Sequence, residues 1–204
     1  GILVTDRGLG GADTWATSTT IAGAIRNLDY DLIITRRQAI DGDTAQVGPQ
    51  TAEKLDMPQI TYAEQVLFVD NEKIRIKRRL ERGIEEVECK FPCMITVGSS
   101  APECRFPIAK QVMKYKNAIN KAEAEEKGID CQKLFAAKPY LEIGLWSAAD
   151  VEAEDNRIGL SGSPTKVKKI ENVVLTAKES VNVEPTDENL DALVKELISS
   201  HIIG

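Results

Sequence analysis

Residues 31–55 read DLIITRRQAIDGDTAQVGPQTAEKL. An apolar run, Asp31–Thr35, leads into a loop of glycines, small hydroxyls and carboxylates, Gln38–Gln50, and TAEKL (Thr51–Leu55) has the look of a helix. That loop holds no lysine of the phosphate-loop kind and no histidine. The preceding residues repeat the arrangement. GILVT (Gly1–Thr5) reads as a buried strand, DRGLGGAD (Asp6–Asp13) as a glycine-rich loop, and Thr14–Leu28 as a helix with Ile21, Ala22, Ala24, Ile25 and Leu28 at helical spacing. Asp13 or Thr14 is placed to cap that helix, since a short side-chain oxygen satisfies first-turn amides. Strand, loop and helix, taken twice, is the rhythm of a parallel α/β sheet.

Further along, the period changes. Residues 59–97 divide into the extended segments ITYAEQVLFV, KIRIKRRL, IEEVECKF and CMITV, with turns at Asp70-Asn71 and Arg82-Gly83. Ile74, Ile76 and Leu80 fall on one face of the second segment and Lys77 and Arg79 on the other. This predicts an antiparallel excursion that returns to a core strand at Met94–Val97. A loop, Gly98–Phe106, precedes a basic helix at Ile108–Lys116, and KAEAEEK (Lys121–Lys127) reads as a short solvated helix. Beyond Ala148 the sequence is polar and loose until a last helix at about Pro185–Ser200. Its apolar stripe is Leu190, Leu193, Val194, Leu197 and Ile198, and Thr186 or Asp187 caps it.

The chain has 204 residues, 28% charged and 42% hydrophobic, with a net charge of −6. Such composition suits an ordinary globular protein and argues against nucleic acid as the main partner, because phosphate backbones select basic surfaces. No apolar run approaches the ~20 residues that span a bilayer, so no membrane role is expected. Cys89, Cys93, Cys104 and Cys131 lack the C-x-x-C spacing of zinc or thiol–disulfide sites, and His201 is the only histidine. A metal site and a Ser-His-Asp or Cys-His mechanism are therefore not expected, and reduced cysteines in the cytoplasm are. The opening without methionine, on a core-like strand, reads as a fragment whose first part is missing.

In an open parallel sheet, ligands bind beyond the C-terminal ends of the strands, where loops meet helix N-termini. Both DRGLGGADT and QAIDGDTAQVG lie at such ends, with glycine for close backbone approach and a following helix whose free amides attract phosphate. Their carboxylates suit the hydroxyls of a nucleotide better than a bare anion. Plain turns and helix caps use the same residues, and neither loop is a G-x-G-x-x-G or Walker A pattern. The residues by themselves define an α/β domain with a nucleotide-site candidate. A nucleotide-binding sensor or regulatory domain would share that description.

The stretch 31–55 closely resembles the small (beta) subunit of electron transfer flavoproteins. IKRRLERGIEEVECKFPCMIT (Ile76–Thr96) resembles that subunit's signature too, departing at Arg82, and GLSGSPTKV and the closing helix are similar as well. The resemblance extends over essentially the whole chain, apart from the family's N-terminal strand–helix segment with part of the adenine pocket. It implies a Rossmann-like (adenine nucleotide alpha hydrolase-like) parallel sheet, an antiparallel β excursion and a C-terminal arm. The implied division is a nucleotide-binding domain at 1–147 and, at 148–204, an arm packing on the large subunit.

By the same resemblance, Asp43, Thr44, Ala45, Gln46, Val47 and Gly48, with Gln38, Asp41 and Pro49 beside them, hold the phosphates of an adenine nucleotide. That nucleotide is AMP in simple members and FAD in electron-bifurcating ones. TDRGLGGADTWATS (Thr5–Ser18) is similar to the bifurcating form, keeping Asp6, Arg7, Gly11, Asp13, Thr14, Ala16 and Thr17. It departs at Leu9, where phenylalanine is usual, and Arg36 replaces a glycine next to the phosphate loop. Arg7 is the implied tuning residue, a guanidinium beside the flavin ring, unless it merely pairs with Asp6. Trp15 is either a ring neighbour or a core or interface residue. The implied function is that of a redox subunit, not catalytic alone, taking electrons from NADH. One passes to ferredoxin or flavodoxin and one, through the alpha subunit's FAD, to a dehydrogenase of the acyl-CoA, caffeyl-CoA reductase or lactate type. The region 99–116 corresponds to the surface offered to that dehydrogenase.

Overall fold

A computed structural model describes residues 1–40, 42–168 and 182–203. It resolves into two compact units, Gly1–Lys166 and Val167–Gly204.

The first unit opens with β1 (Ile2–Val4), a 3-10 turn at Arg7–Leu9, α1 (Thr14–Arg26), β2 (Leu32–Arg36) and α2 (Val47–Lys54). Next come β3 (Gln59–Val69), β4 (Lys73–Leu80), β5 (Gly83–Lys90) and β6 (Cys93–Val97). Three short helices, α3 (Ala109–Tyr115), α4 (Lys121–Glu126) and α5 (Cys131–Ala137), lead to β7 (Gly144–Trp146). The second unit contains α6 (Asp187–Ser199), capped by the Thr186 hydroxyl, which accepts from the Asn189 N–H at 3.4 Å. No described helix is long and apolar enough to cross a membrane.

The main sheet has the order β2-β6-β3-β4-β5. β6 pairs in parallel with β2 (Leu32 opposite Cys93, Arg36 opposite Val97) and with β3 (Gln59 opposite Met94). β3, β4 and β5 are antiparallel. The expected α/β fold with an antiparallel excursion is the observed one.

Why CMITV is apolar at every position is explained by its neighbours. Cys93 and Ile95 join a core with Ile60, Ala63, Ile74 and Ile76 on one face of the sheet, while Met94 faces Ala52 and Met57 under α2 on the other. A strand buried on both faces reads as a continuous hydrophobic run. The first half of β4 alternates, with Ile74 and Ile76 inward and Arg75 outward, and beyond Ile76 the alternation fades. Arg75 and Arg78 stand directly opposite Glu88 and Glu85 and pair with them at 3.3 and 2.6 Å.

Three expectations are corrected. β1 does not join the sheet of β2. It pairs in parallel with β7, a strand the sequence pattern did not single out, and this two-stranded sheet leaves Ile2 and Leu3 exposed rather than buried. β2 is likewise less buried than its apolar run suggests. It is a sheet-edge strand, with Ile34 63% exposed. The stretch after Ala148 is not loose throughout, because Val151, Ile158 and Ser163 are buried.

Ile76 and Ile34 provide a test of this layering. Ile76→Ala removes a fully buried side chain and should cost about 2–5 kcal/mol. Ile34→Ala, on the exposed edge, should stay within about 0.5 kcal/mol. Urea denaturation of both variants reads the difference, and equal losses would contradict the assignment of faces.

Candidate nucleotide site

The ends of β2 and β6 form the floor of a crevice of about 580 Å³ lined by Arg36, Arg37, Gln38, Asp43 and Ser99, among others. It lies beyond the C-terminal ends of two parallel strands, where such sheets bind ligands. A larger cavity, about 650 Å³, adjoins it through Arg37, Gly98 and Ser99 and reaches the β4–β5 hairpin at Arg79 and Arg82. In the floor, β3 bulges between Ile60 and Ala63. Tyr62 there adopts φ 58°, its N–H donates to the Thr96 hydroxyl at 3.1 Å, and Arg37 lies over its ring at 5.7 Å.

The phosphate-loop candidates follow in order. Gln38 donates its side-chain amide to Asp43, and the Asp43 N–H donates to the Ala39 carbonyl at 3.1 Å, closing a tight turn. Asp43 (φ 48°) and Ala45 (φ 54°) both occupy the left-handed region, which costs a residue with a Cβ about 1 kcal/mol or more. Asp41 lies outside the described residues. The chain then enters α2 without a side-chain cap at Gln46. The first-turn amides of a helix have no partners within it, and Pro49 has no N–H at all. Gly48 permits this geometry. A Cβ there would sit 2.9 Å from Thr96 Cγ2 and 3.0 Å from Thr35 Oγ1. Only glycine lets the helix start lie against the ends of both strands.

The other loop is held by its carboxylates. Asp6 accepts from the Gly8 N–H (2.8 Å) and the Ala148 N–H (3.2 Å), and these bonds hold its carboxyl below the usual range. No ion pair joins Asp6 to Arg7 among the described residues, and Arg7 stands exposed on the 3-10 turn. Asp13 caps α1, accepting from the Ala16 N–H at 3.0 Å, and its other oxygen accepts from the Thr165 N–H (2.9 Å) and hydroxyl (2.7 Å). Burial pushes the Asp13 carboxyl up, and these hydrogen bonds overcome that and leave it below the ordinary value.

Segment 159–165 therefore docks on loop 6–13, an association the sequence pattern missed. The Leu160 N–H donates to the Gly10 carbonyl at 3.0 Å, and the Asp13 N–H donates to the Ser163 hydroxyl at 2.8 Å. A Cβ on Gly159 would fall 1.9 Å from the Gly8 carbonyl oxygen. The glycines of GLSGSPT were the available signal: they mark close backbone approach rather than looseness. Gly11 (φ 72°) faces Leu160 in the same contact.

The two loops meet at the start of α1. The Thr14 hydroxyl donates to Gln46 Oε1 at 3.1 Å and accepts from Gln50 Nε2 at 3.4 Å, and the Ser18 hydroxyl donates to Gln50 Oε1 at 3.2 Å. Thr17 lies on the same turn of α1, its N–H bonded to the Asp13 carbonyl. Trp15 is 44% exposed and stacks under the ammonium of Lys54. It is not a core residue.

Residues 1–127 match the electron transfer flavoprotein domain. An electron transfer flavoprotein subunit beta of Clostridium acetobutylicum is 39% identical over 202 residues, covering 99% of this chain and 69% of that protein. The caffeyl-CoA reductase-Etf complex subunit CarD of Acetobacterium woodii is 34% identical, covering 98% and 68%. Protein FixA of Bradyrhizobium diazoefficiens is 35% identical, covering 95% and 62%. The chain belongs to the electron transfer flavoprotein family, as a beta subunit.

Asp13 offers a test of the loop junction. Asp13→Ala removes a helix cap and the tie to Thr165, and should cost about 0.5–2 kcal/mol at neutral pH. A carboxyl held below its unfolded value of about 3.9 contributes stability above that pH and loses it as pH falls through the folded value. The gap between wild type and Asp13→Ala should thus be constant from pH 7 to 5 and shrink toward pH 3. A gap independent of pH across that range would show that the carboxylate charge is not what holds the segment.

Proposed function

We propose that this chain is the nucleotide-binding half of a heterodimer with an electron transfer flavoprotein alpha subunit, and that it holds FAD between its two loops. The observation that carries the reading is the hydrogen-bonded junction of Thr14 with Gln46 and Gln50. It sets a glycine-rich, cation-bearing loop beside an uncapped helix start, so that one ligand with both a phosphate and a distant ring spans the two. The residues present fit such a group: left-handed turns at Asp43 and Ala45, open amides at the start of α2, and a crevice with Arg36 and Arg37 on its wall.

FAD held there would supply the redox chemistry, hydride acceptance from NADH and single-electron transfer toward ferredoxin or flavodoxin and, by way of the alpha subunit, a partner dehydrogenase. The chain's own residues bind and orient. The loop 43–48 holds phosphate. Asp6 and Asp13 fix the backbone of the first loop through amides rather than charge pairs, which leaves the Arg7 guanidinium unpaired among the described residues and available to the ring. Similarity to CarD, whose name places it in a complex with caffeyl-CoA reductase, supports a dehydrogenase partner. The 109–115 helix is the surface proposed for it, and the second unit, with α6, the arm that packs on the alpha subunit.

Nucleotide released from the denatured heterodimer tests the cofactor assignment. Two FAD per pair are expected, and one FAD with one AMP would contradict it. Arg7→Ala then separates tuning from binding. A charged hydrogen bond contributes about 1.5–3 kcal/mol, and about 59 mV corresponds to tenfold for one electron. The variant should retain FAD and lower that flavin's one-electron reduction potential by about 65–130 mV. An unaltered potential with FAD bound would leave Arg7 as a surface residue.

A further inference from the structure

A second cavity lies away from both loops, where the segment 151–157 crosses α1. The crossing is tight because Gly23 allows it: a Cβ there would fall 2.2 Å from the Val151 carbonyl oxygen. Beside the crossing is a cavity of about 220 Å³, lined in part by Thr19, Arg26, Lys54 and Arg157. Three cationic residues thus border one small space, from α1, from the end of α2 and from the segment that crosses α1.

Among the described residues no ion pair joins Arg26, Lys54 or Arg157 to a carboxylate. Arg26 donates to the Lys54 carbonyl at 2.6 Å, which fixes its guanidinium at the cavity without satisfying its charge. Lys54 is the most telling. Its ammonium nitrogen is shut off from solvent, donates no hydrogen bond among the described residues, and rests on the Trp15 ring 3.2 Å from the centroid. The ring attracts the charge but accepts little of its hydrogen-bonding capacity. Burial, and then the Arg157 charge, lower the Lys54 pKa, with Asp13 acting weakly the other way. Glu152 and Glu154 also line the space, but both are exposed and bond to none of the three cations.

A shut-off ammonium is normally paired. Arg26 and Arg157, both exposed, bring guanidinium groups beside it, and guanidinium forks with a lysine ammonium are groups that hold phosphate-type oxyanions. Nucleotide-sized pockets run from about 300 Å³ upward, so this one is too small for a second dinucleotide. We propose that Arg26, Lys54 and Arg157 form a binding site for a small phosphate-class oxyanion, at the crossing of residues 151–157 over α1 and separate from the crevice at the ends of β2 and β6. The site does not depend on the FAD reading. It joins α1, α2 and the docked segment, so occupancy would tie together the elements that carry both loops.

The full chain, titrated calorimetrically with inorganic phosphate at constant ionic strength set by chloride, tests this. Saturable uptake is expected, with a change in Trp15 emission as Lys54 turns from the ring toward the anion. Lys54→Met and Arg157→Gln should each weaken uptake at least tenfold, and Lys54→Arg should restore most of the affinity. Arg157 is exposed, so its variant leaves the fold intact and stays informative should Lys54→Met fail to fold. Absence of saturable uptake above chloride, or unchanged affinity in Arg157→Gln, would overturn the assignment. The latter result would mean that phosphate enters at the 43–48 loop instead.

Discussion

The absence of a side chain at position 48 governs how near α2 approaches the main sheet. One additional carbon would meet Thr96 and Thr35 at about van der Waals overlap. Withdrawing the helix to accommodate it would lift the first-turn amides away from the ends of β2 and β6. The crevice depends on that closeness, since its floor is two strand ends and one of its walls is the turn 38–43 that delivers the chain to the helix. The same helix packs alongside α1, with Ala52 and Ala16 among the fully buried residues. Small side chains on both helices bring the start of α1, and with it the first loop, within hydrogen-bonding reach of Gln46.

The carboxylates of the first loop have a structural role that frees its cation. Asp6 and Asp13 are engaged with backbone N–H groups and the Thr165 hydroxyl. Hydrogen bonds from neutral donors stabilise a carboxylate without a counter-ion. Among the described residues Arg7 therefore forms no ion pair with the carboxylates of its own loop. The docked segment 159–165 reinforces this by supplying acceptors and donors from a distant part of the sequence, with the glycine at 159 admitting the backbone contact with Gly8.

Legibility in the sequence followed the physical range of each signal. α1, α2, the β3–β4–β5 hairpins and α6 depend on local periodicity, turns and caps, and their positions agree with the pattern to within a few residues. Asp13 and Thr186 were readable as caps because capping acts over three residues. The partner of β1 was not readable. GILVT shows an apolar strand, but nothing in it distinguishes a place in the main sheet from pairing with Gly144–Trp146. The docking of residues 159–165 was missed for a related reason. Its contacts span about 150 positions along the chain, and polar, glycine-rich sequence looks the same whether it is solvated or packed against backbone. Within the candidate site, the loops could be read from residue type. Their junction through Thr14, Gln46 and Gln50 emerged only from the packing of two helices.

The central claim is that the turn 43–48 and the open start of α2 receive the phosphates of a nucleotide. Hydrogen exchange at the amides of Ala45, Gln46, Val47 and Gly48 measures this directly, in protein carrying its nucleotide and in protein stripped of it. These amides should exchange slowly when loaded and lose protection when stripped, while those of buried β6 change little. Equal exchange at 45–48 in the two states would contradict the account.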